Sequence, residues 1–436
     1  MASDLRWLWH IQTIPPAISS QGDKTLNVVL LTPEHHRDRP SGAAKLAFDQ
    51  SINLVAAGHQ VSVVGHAVNE KYREHEQCDG IYYLRYKTPK LHLADPRRAF
   101  AHQTAAKEIL ARKIQGGVDV IHGHAPLSFL AACDVFPRVR KVYSIHSPMS
   151  MEMELTWSRP MLGDRLRRWF GTPVLNRMER KCLELSDAVS AESEFTKQQM
   201  ERLHGKNLAR KVQVIPGWVD LDRFSIVQDR AATKISLGWP SDAPVLFTLR
   251  RLVARMGLDR LIHAVSTVRD RGQQMHLVIG GSGPLETELR QLVTSLDLDS
   301  WVRFIGRVPD IDLPIMYGTC DAFVLPTAAL ECFGLIAIEA LACGRPVLAT
   351  PVGAIPEVIN NFEPRWLSRS NDHDAIADLL SEYLSGALPS HAPAALRRRT
   401  EELYSQDARV SELVKFALPE TKSAPQIDIS HEVRAH

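Results

Sequence analysis

The sequence predicts an α/β protein built of two doubly wound domains that face each other across a cleft. Three observations lead there. A chain of 436 residues exceeds one ordinary core, at roughly 100 to 200 residues per domain. From Leu26 onward short apolar runs alternate with longer amphipathic ones, the pattern of parallel strands covered by helices on both faces. The alternation is interrupted at Pro216-Gly217-Trp218-Val219-Asp220, where Pro and Gly punctuate the chain, and it resumes at Val245.

The candidate strands of the first series are Leu26–Leu31, Gln60–Gly65, Ile81–Tyr86, Val118–His122, Lys141–His146, Asp187–Ala191 and Val212–Pro216. Each is rich in Val, Ile or aromatics, as strands buried on two faces should be. The second series is Val245–Leu249, His276–Gly281, Val302–Gly306, Asp321–Leu325 and Arg345–Thr350. The chain therefore divides into an extension over 1–25, a first domain over 26–217 and a second over 218–393. A helical pattern over 394–417 is expected to pack back toward the first domain, and the polar tail over 418–436 is expected to be disordered. Open sheets bind ligands beyond the carboxyl ends of their strands, so the chemistry is expected in the cleft between the two domains.

Composition narrows the function classes. Lys and Arg total 52 against 50 Asp and Glu, a net charge of +2, so no global field recruits nucleic acid or an anionic bilayer. An anionic ligand must then be met by a local site. The six cysteines, Cys78, Cys133, Cys182, Cys320, Cys332 and Cys343, form neither a CxxC nor a CxH pairing, which points to a reducing compartment. Met1–Ile18 lacks the basic start, long apolar centre and small-residue cleavage site of a secretory signal, and no apolar run reaches the length of a membrane span. A soluble, cytoplasmic protein is expected.

The segment with the most chemistry is Leu330-Glu331-Cys332-Phe333-Gly334-Leu335-Ile336-Ala337-Ile338-Glu339-Ala340, which follows the strand Asp321–Leu325 through a polar loop and opens a helix at Gly334-Leu335. Backbone amides at a helix start point outward and the dipole is positive there, so this turn suits a diphosphate or a developing oxyanion. Glu331 and Glu339 are eight residues apart, about 80° of rotation and roughly 12 Å of rise, so both can face one cleft. A carboxylate accepts two hydrogen bonds from vicinal hydroxyls, which lets one hold a sugar and the other a ribose.

Leu325 to Ile359, with Glu331, Phe333-Gly334-Leu335, Glu339-Ala340, Cys343-Gly344-Arg345-Pro346-Val347, Gly353 and Pro356-Glu357-Val358-Ile359, resembles the glutamate-pair motif of the retaining glycosyltransferases of family 4. Gly58-His59-Gln60-Val61, Ile215-Pro216-Gly217, Gly280-Gly281-Ser282-Gly283-Pro284 and Phe304-Ile305-Gly306-Arg307-Val308 fall in the family's order, so the likeness spans about 26 to 417. The resemblance implies the GT-B fold, two Rossmann-like domains around an interdomain cleft. It implies transfer of a hexosyl unit from a nucleoside diphosphate sugar, UDP- or GDP-linked, to a small-molecule, glycan or lipid-linked acceptor. Carried over residue by residue, Glu339 would hold the ribose, Glu331 with Phe333, Gly334 and Leu335 the sugar, Arg307 and Val308 the base, and Arg251 the diphosphate. Gly283 and Gly42 would approach the donor, and His146 would stand near its sugar. The family usually has a lysine where this chain has Met256, and Arg255 is the expected substitute.

Other constellations in the sequence carry weaker signals. Three Asp-x-Asp pairs, at 220/222, 297/299 and 310/312, lack an apolar strand-end setting, so no metal or other cofactor is expected. The run Gly280–Gly283 lacks a full G-x-G-x-x-G, which disfavours a dehydrogenase. His122 and His124 are weaker site candidates than His146, and His35 and His36 are read as loop residues. Arg165, Arg167, Arg168, Arg177, Arg180 and Lys181 interleave with Leu162, Leu166, Trp169 and Phe170, the pattern of a solvated basic helix or of a weak peripheral membrane contact. The rival functions are a phosphorylase or epimerase of the same fold and a catalytically silent partner subunit.

Overall fold

A computed structural model of the chain describes residues 25–39, 42–89, 97–156 and 162–418. Most of the 1–25 extension and the tail beyond 418 lie outside them.

The first sheet has eight strands: β1 Asn27–Leu31, β2 Gln60–His66, β3 His75–Cys78, β4 Ile81–Tyr86, β5 Val120–Gly123, β6 Arg140–Ile145, β7 Ala188–Ala191 and β8 Val212–Val214. Their order is β3-β4-β2-β1-β5-β6-β7-β8, parallel except where β3 runs antiparallel along β4. Side chains alternate across a strand, and β1 uses both faces. Val28 and Leu30 pack with Val61, Val63 and Ile81 on one side, while Val29 and Leu31 pack with Ile121 and Phe129 on the other.

The second sheet is wholly parallel: β9 Val245–Leu249, β10 His276–Gly280, β11 Val302–Gly306, β12 Ala322–Leu325 and β13 Val347–Ala349, ordered β11-β10-β9-β12-β13. Phe247, Tyr317 and Phe323 meet edge to face in its core, with ring centroids 5.2 to 5.9 Å apart. All twelve apolar runs chosen from sequence are strands, with no end moved by more than two residues. The unforeseen strand, β3, reads His-Glu-Gln-Cys and lies at the sheet edge, where an exposed face needs no apolar run.

The helical pattern at 394–417 resolves into two helices, Pro393–Tyr404 and Gln406–Ala417, separated by Ser405 in an extended conformation. Tertiary structure breaks it there. Val219 donates its amide to Tyr404 O at 3.0 Å and bridges to Ser405, so the two segments that cross between the domains run side by side. The earlier helix packs on Leu335–Ala342 of the second domain. The later one crosses to the first domain, where Val410 and Leu413 bury against Leu46, Ile215 and Trp218. Arg140 fastens its end by donating to Ala417 O at 3.0 Å and Phe416 O at 3.1 Å, where the helix carbonyls lack internal partners. Trp218 donates to Asp49 Oδ2 at 2.7 Å, and the same oxygen takes Lys45 Nζ at 2.7 Å.

Among the described residues no helix is long and apolar enough to cross a membrane. Since Leu413 is buried in the first domain's core, Leu413→Ala should destabilise that domain by about 2–4 kcal/mol. In urea, followed by limited proteolysis, the first-domain transition moves to lower denaturant. An unmoved transition would show that the last helix adds nothing to that core.

Candidate functional site

Strand order reverses at two places, between β1 and β5 in the first sheet and between β9 and β12 in the second. Loops leaving adjacent strands there diverge to opposite faces and leave a crevice. His124 follows β5, Arg250 and Arg251 follow β9, and the loop carrying Glu331 follows β12.

That loop is gripped along its backbone. Thr350 Oγ1 donates to Thr327 O at 2.7 Å, and Arg255 O accepts from the amides of Ala328 and Ala329 at 2.9 and 3.1 Å. Glu331 O accepts from Ala354 N at 2.8 Å. Gly353, at φ 63°, makes this approach possible, because a Cβ there would fall 2.1 Å from Glu331 O. The Glu331 side chain, 17% exposed, takes Arg250 Nη2 at 2.9 Å. One residue on, Cys332 O accepts from Ser193 Oγ of the first domain at 2.6 Å. Gly334, at φ 96°, then turns the chain into the helix Leu335–Ala342.

Glu339 lies one turn inside that helix, half-buried, and accepts from Tyr317 Oη at 2.9 Å. Burial pushes its carboxyl up to about 7, against the opposing pull of the Tyr317 hydrogen bond and the charges of Arg223 and Lys45. Burial, then the nearby carboxylate, holds the Tyr317 phenol well above its ordinary range.

A second contact joins the domains. Glu357 accepts from the amides of Glu194 and Phe195 at 2.9 and 2.6 Å, the first turn of the helix Glu194–His204. A carboxylate at a helix start satisfies amides that have no partner inside the helix and meets the positive end of its dipole.

On the first-domain wall, side chains form a continuous hydrogen-bonded chain. His146 Nδ1 meets Glu192 Oε1 at 2.5 Å, His146 Nε2 meets His124 Nδ1 at 3.0 Å, and His124 Nε2 meets Gln50 Oε1 at 2.9 Å. The Gln50 amide nitrogen contacts His122 Nδ1 at 2.8 Å, His122 Nε2 contacts Ser144 Oγ at 2.8 Å, and Ser144 reaches Ser190 at 2.7 Å. Burial lowers His122 to about 3 and His124 well below the imidazole range, so both are neutral. The proton positions then follow. Gln50 Oε1 can only accept, so His124 carries its proton on Nε2 and presents a bare Nδ1. His146 must donate to it from Nε2.

Comparison with known proteins now fixes the family. Residues 40–223 match the family model described as "Glycosyltransferase Family 4" and residues 229–402 match "Glycosyl transferases group 1". The chain belongs to the family 4 glycosyltransferases. Its fold is GT-B. It is 30% identical over 223 residues to a GDP-mannose-dependent alpha-(1-6)-phosphatidylinositol monomannoside mannosyltransferase of Mycolicibacterium smegmatis, covering 50% of this chain and 58% of that one. It is 34% identical over 186 residues to a D-inositol 3-phosphate glycosyltransferase of Kineococcus radiotolerans, covering 41% and 42%. The matched stretches thus span less than two thirds of these relatives. In fold it is similar to the sucrose-phosphate synthase of Thermosynechococcus elongatus, with a TM-score of 0.72 at 22% identity over 89% of this chain and 98% of that one.

The other residues read from sequence in this family 4 chain fall as follows. Gly42 faces Leu335 across the cleft, its Cβ position 3.8 Å from a Leu335 methyl. Phe333 is buried against Tyr404, with ring centroids 5.7 Å apart. A Cβ on Gly283 would meet the backbone of Leu252 at 2.4 to 2.8 Å, so Gly283 lets its turn pack on the strand end that carries Arg251. Arg251 and Arg307 are exposed, and Val308 is buried beside Gly280. Arg255 donates to Leu330 O at 2.9 Å and lies 4.0 Å from Glu152. Both nitrogens of His146 are engaged within its own domain. His35 is a buried loop residue bonded to Leu84 O at 2.9 Å. Of the basic stretch, Arg168, Arg177, Arg180 and Lys181 are exposed, and Trp169 and Phe170 stack on each other at the surface; the side chains of Leu162, Arg165, Leu166 and Arg167 lie outside the described residues.

Sequence reasoning passed over Arg250, Tyr317, Glu192 and Ser193. Arg250 carried a signal, since it adjoins Arg251 at the end of β9. Tyr317 and Glu192 carried none, because their partners are 22 and 46 residues away.

The raised Glu339 carboxyl makes a stability prediction. Its folded value, about 7, lies above the ordinary 4.5, so the stabilisation tied to its neutral form is full below pH 4.5 and is lost as pH rises through 7. The loss amounts to about 3 kcal/mol at most. Glu339→Gln, neutral throughout, should melt above the wild type at pH 8, and by much less at pH 5. An equal difference at both would show that Glu339 does not titrate in this range.

Proposed function

We propose that this chain transfers a hexosyl unit from a UDP- or GDP-linked sugar to an acceptor hydroxyl, with retention at the anomeric carbon and without a metal. The observation that carries the reading is the pair Glu331 and Glu339 set on either side of the Gly334 turn, one carboxylate held by Arg250 and the other by Tyr317.

In this reading the diphosphate sits at the amino end of the helix Leu335–Ala342, where free backbone amides and the dipole favour negative charge. Arg251, exposed at the end of β9, reaches it with a planar donor fork. Glu331 accepts from the sugar hydroxyls and Glu339 from the ribose. As the glycosidic bond breaks, charge grows on the diphosphate, and donors already in place stabilise it without reorganisation. The departing diphosphate takes the proton from the acceptor hydroxyl on the same face of the sugar, which gives retention. Closure through Ser193–Cys332 and Glu357 excludes water that would otherwise hydrolyse the donor.

The relative from Mycolicibacterium smegmatis is named for GDP-mannose, which supports GDP-mannose as a donor to test first. The exposed pair Trp169 and Phe170, flanked by exposed Arg168 and Arg177, supports a lipid-linked acceptor met at an anionic surface.

A panel of UDP- and GDP-sugars, scored for slow donor hydrolysis and for transfer with and without EDTA, tests the activity. Turnover of at least one donor is expected, unaffected by EDTA; no turnover and no binding of any donor would sink the reading. With the donor known, Glu339→Gln should raise its KM about tenfold, for lost ribose hydrogen bonds. Glu331→Gln should lower kcat by roughly a hundredfold with a smaller effect on KM. Equal effects on both parameters in both variants would refute the division of roles.

A further inference from the structure

We propose that Arg250 is a ligand of the donor diphosphate, supplying the cation that Met256 does not; the proposal rests on the nucleotide-sugar reading above. Arg250 is 7% exposed, at the carboxyl end of β9 on the switch point of the second sheet. A guanidinium carries five N–H donors, and a buried one is stable only when its charge is matched and its donors are used. Here one nitrogen does all the work. Nη2 donates to Glu331 Oε2 at 2.9 Å and Thr327 Oγ1 at 3.0 Å and lies against the Met256 sulfur. Nε is buried without a partner, and Nη1 makes no hydrogen bond among the described residues. A buried cation with most of its fork unused, beside a helix start with free amides, fits an anion that brings several acceptor oxygens.

The place of Met256 sharpens this. Its sulfur touches the Arg250 guanidinium, so a lysine at 256 would put its ammonium against the same spot. Two cations cannot share it without a large repulsion, and this chain places the charge on residue 250 and an uncharged side chain on residue 256. Arg255, the substitute expected from sequence, already serves Leu330 O and lies near Glu152. Arg250 differs from a lysine in one useful respect. Its planar fork can hold Glu331 through Nη2 and a phosphate oxygen through Nη1 or Nε, so the sugar contact and the leaving group are set by one rigid group.

Calorimetric titration of the full chain with GDP, GMP and guanosine, and with UDP, UMP and uridine, tests the assignment. The wild type should bind one diphosphate more tightly than its monophosphate. Arg250→Ala and Arg250→Lys should weaken that diphosphate about ten- to a hundredfold, the loss of one or two charge-assisted hydrogen bonds, and the monophosphate by less than about threefold. The double variant Arg250→Gly with Met256→Lys should recover part of the diphosphate affinity. If the single variants, with melting temperatures near the wild type's, keep the full preference for diphosphate, Arg250 only steadies Glu331 and the proposal fails. If the wild type binds neither GDP nor UDP, the nucleotide-sugar reading itself falls, and the proposal with it.

Discussion

The peptide groups of Glu331 and Cys332 tie the two domains to one geometry. Glu331 O is held from the second domain by Ala354 N, and the next carbonyl is held from the first domain by Ser193 Oγ. Buried backbone polar groups are rarely left unpaired, so neither partner can withdraw without a replacement. Fixing these two carbonyls fixes where the Glu331 carboxylate meets Arg250 and where Gly334 turns the chain into its helix. One loop therefore couples the approach of the two domains to the shape of the site. Glu357, on the amides of Glu194 and Phe195, reinforces it, because Ser193 is the cap of that same helix.

The two walls of the cleft handle charge differently. The second domain presents arginines that are exposed, as Arg251 is, or buried with unused donors, as Arg250 is. The first domain presents a continuous chain of hydrogen-bonded side chains in which His122 and His124 are kept neutral by burial. Such a chain fixes tautomers that an isolated histidine would leave free. It also leaves the His146 imidazole unable to turn toward the cleft without giving up Glu192 and His124.

Much of this was legible in the sequence because it rests on local pattern. Strands buried on two faces must be apolar, and so β1 or β9 could be read directly, whereas β3 could not, being an edge strand with one solvated face. The glutamates and the Gly334 turn were legible because a helix start after a strand is a local event. What escaped depends on contacts between distant segments. Nothing near Ser405 announces a break, which comes from Val219, far back in the chain. Arg250 and Arg255 are equivalent as letters. The fold turns one toward Glu331 and the other toward Leu330.

The pairing of Val219 with Ser405 also changes what counts as a piece of this molecule. The first domain's core is completed by Leu413 and Val410, which arrive only after the entire second domain has been made, so the second domain is in effect an insertion into the first. Its two ends leave side by side. Cutting the chain once at the boundary would strip Leu46, Ile215 and Trp218 of their cover, whereas excising the inserted unit and splicing the neighbourhood of Val219 directly to Ser405 would preserve it. During synthesis, likewise, the first half must wait with part of its apolar surface bare until the last helix emerges.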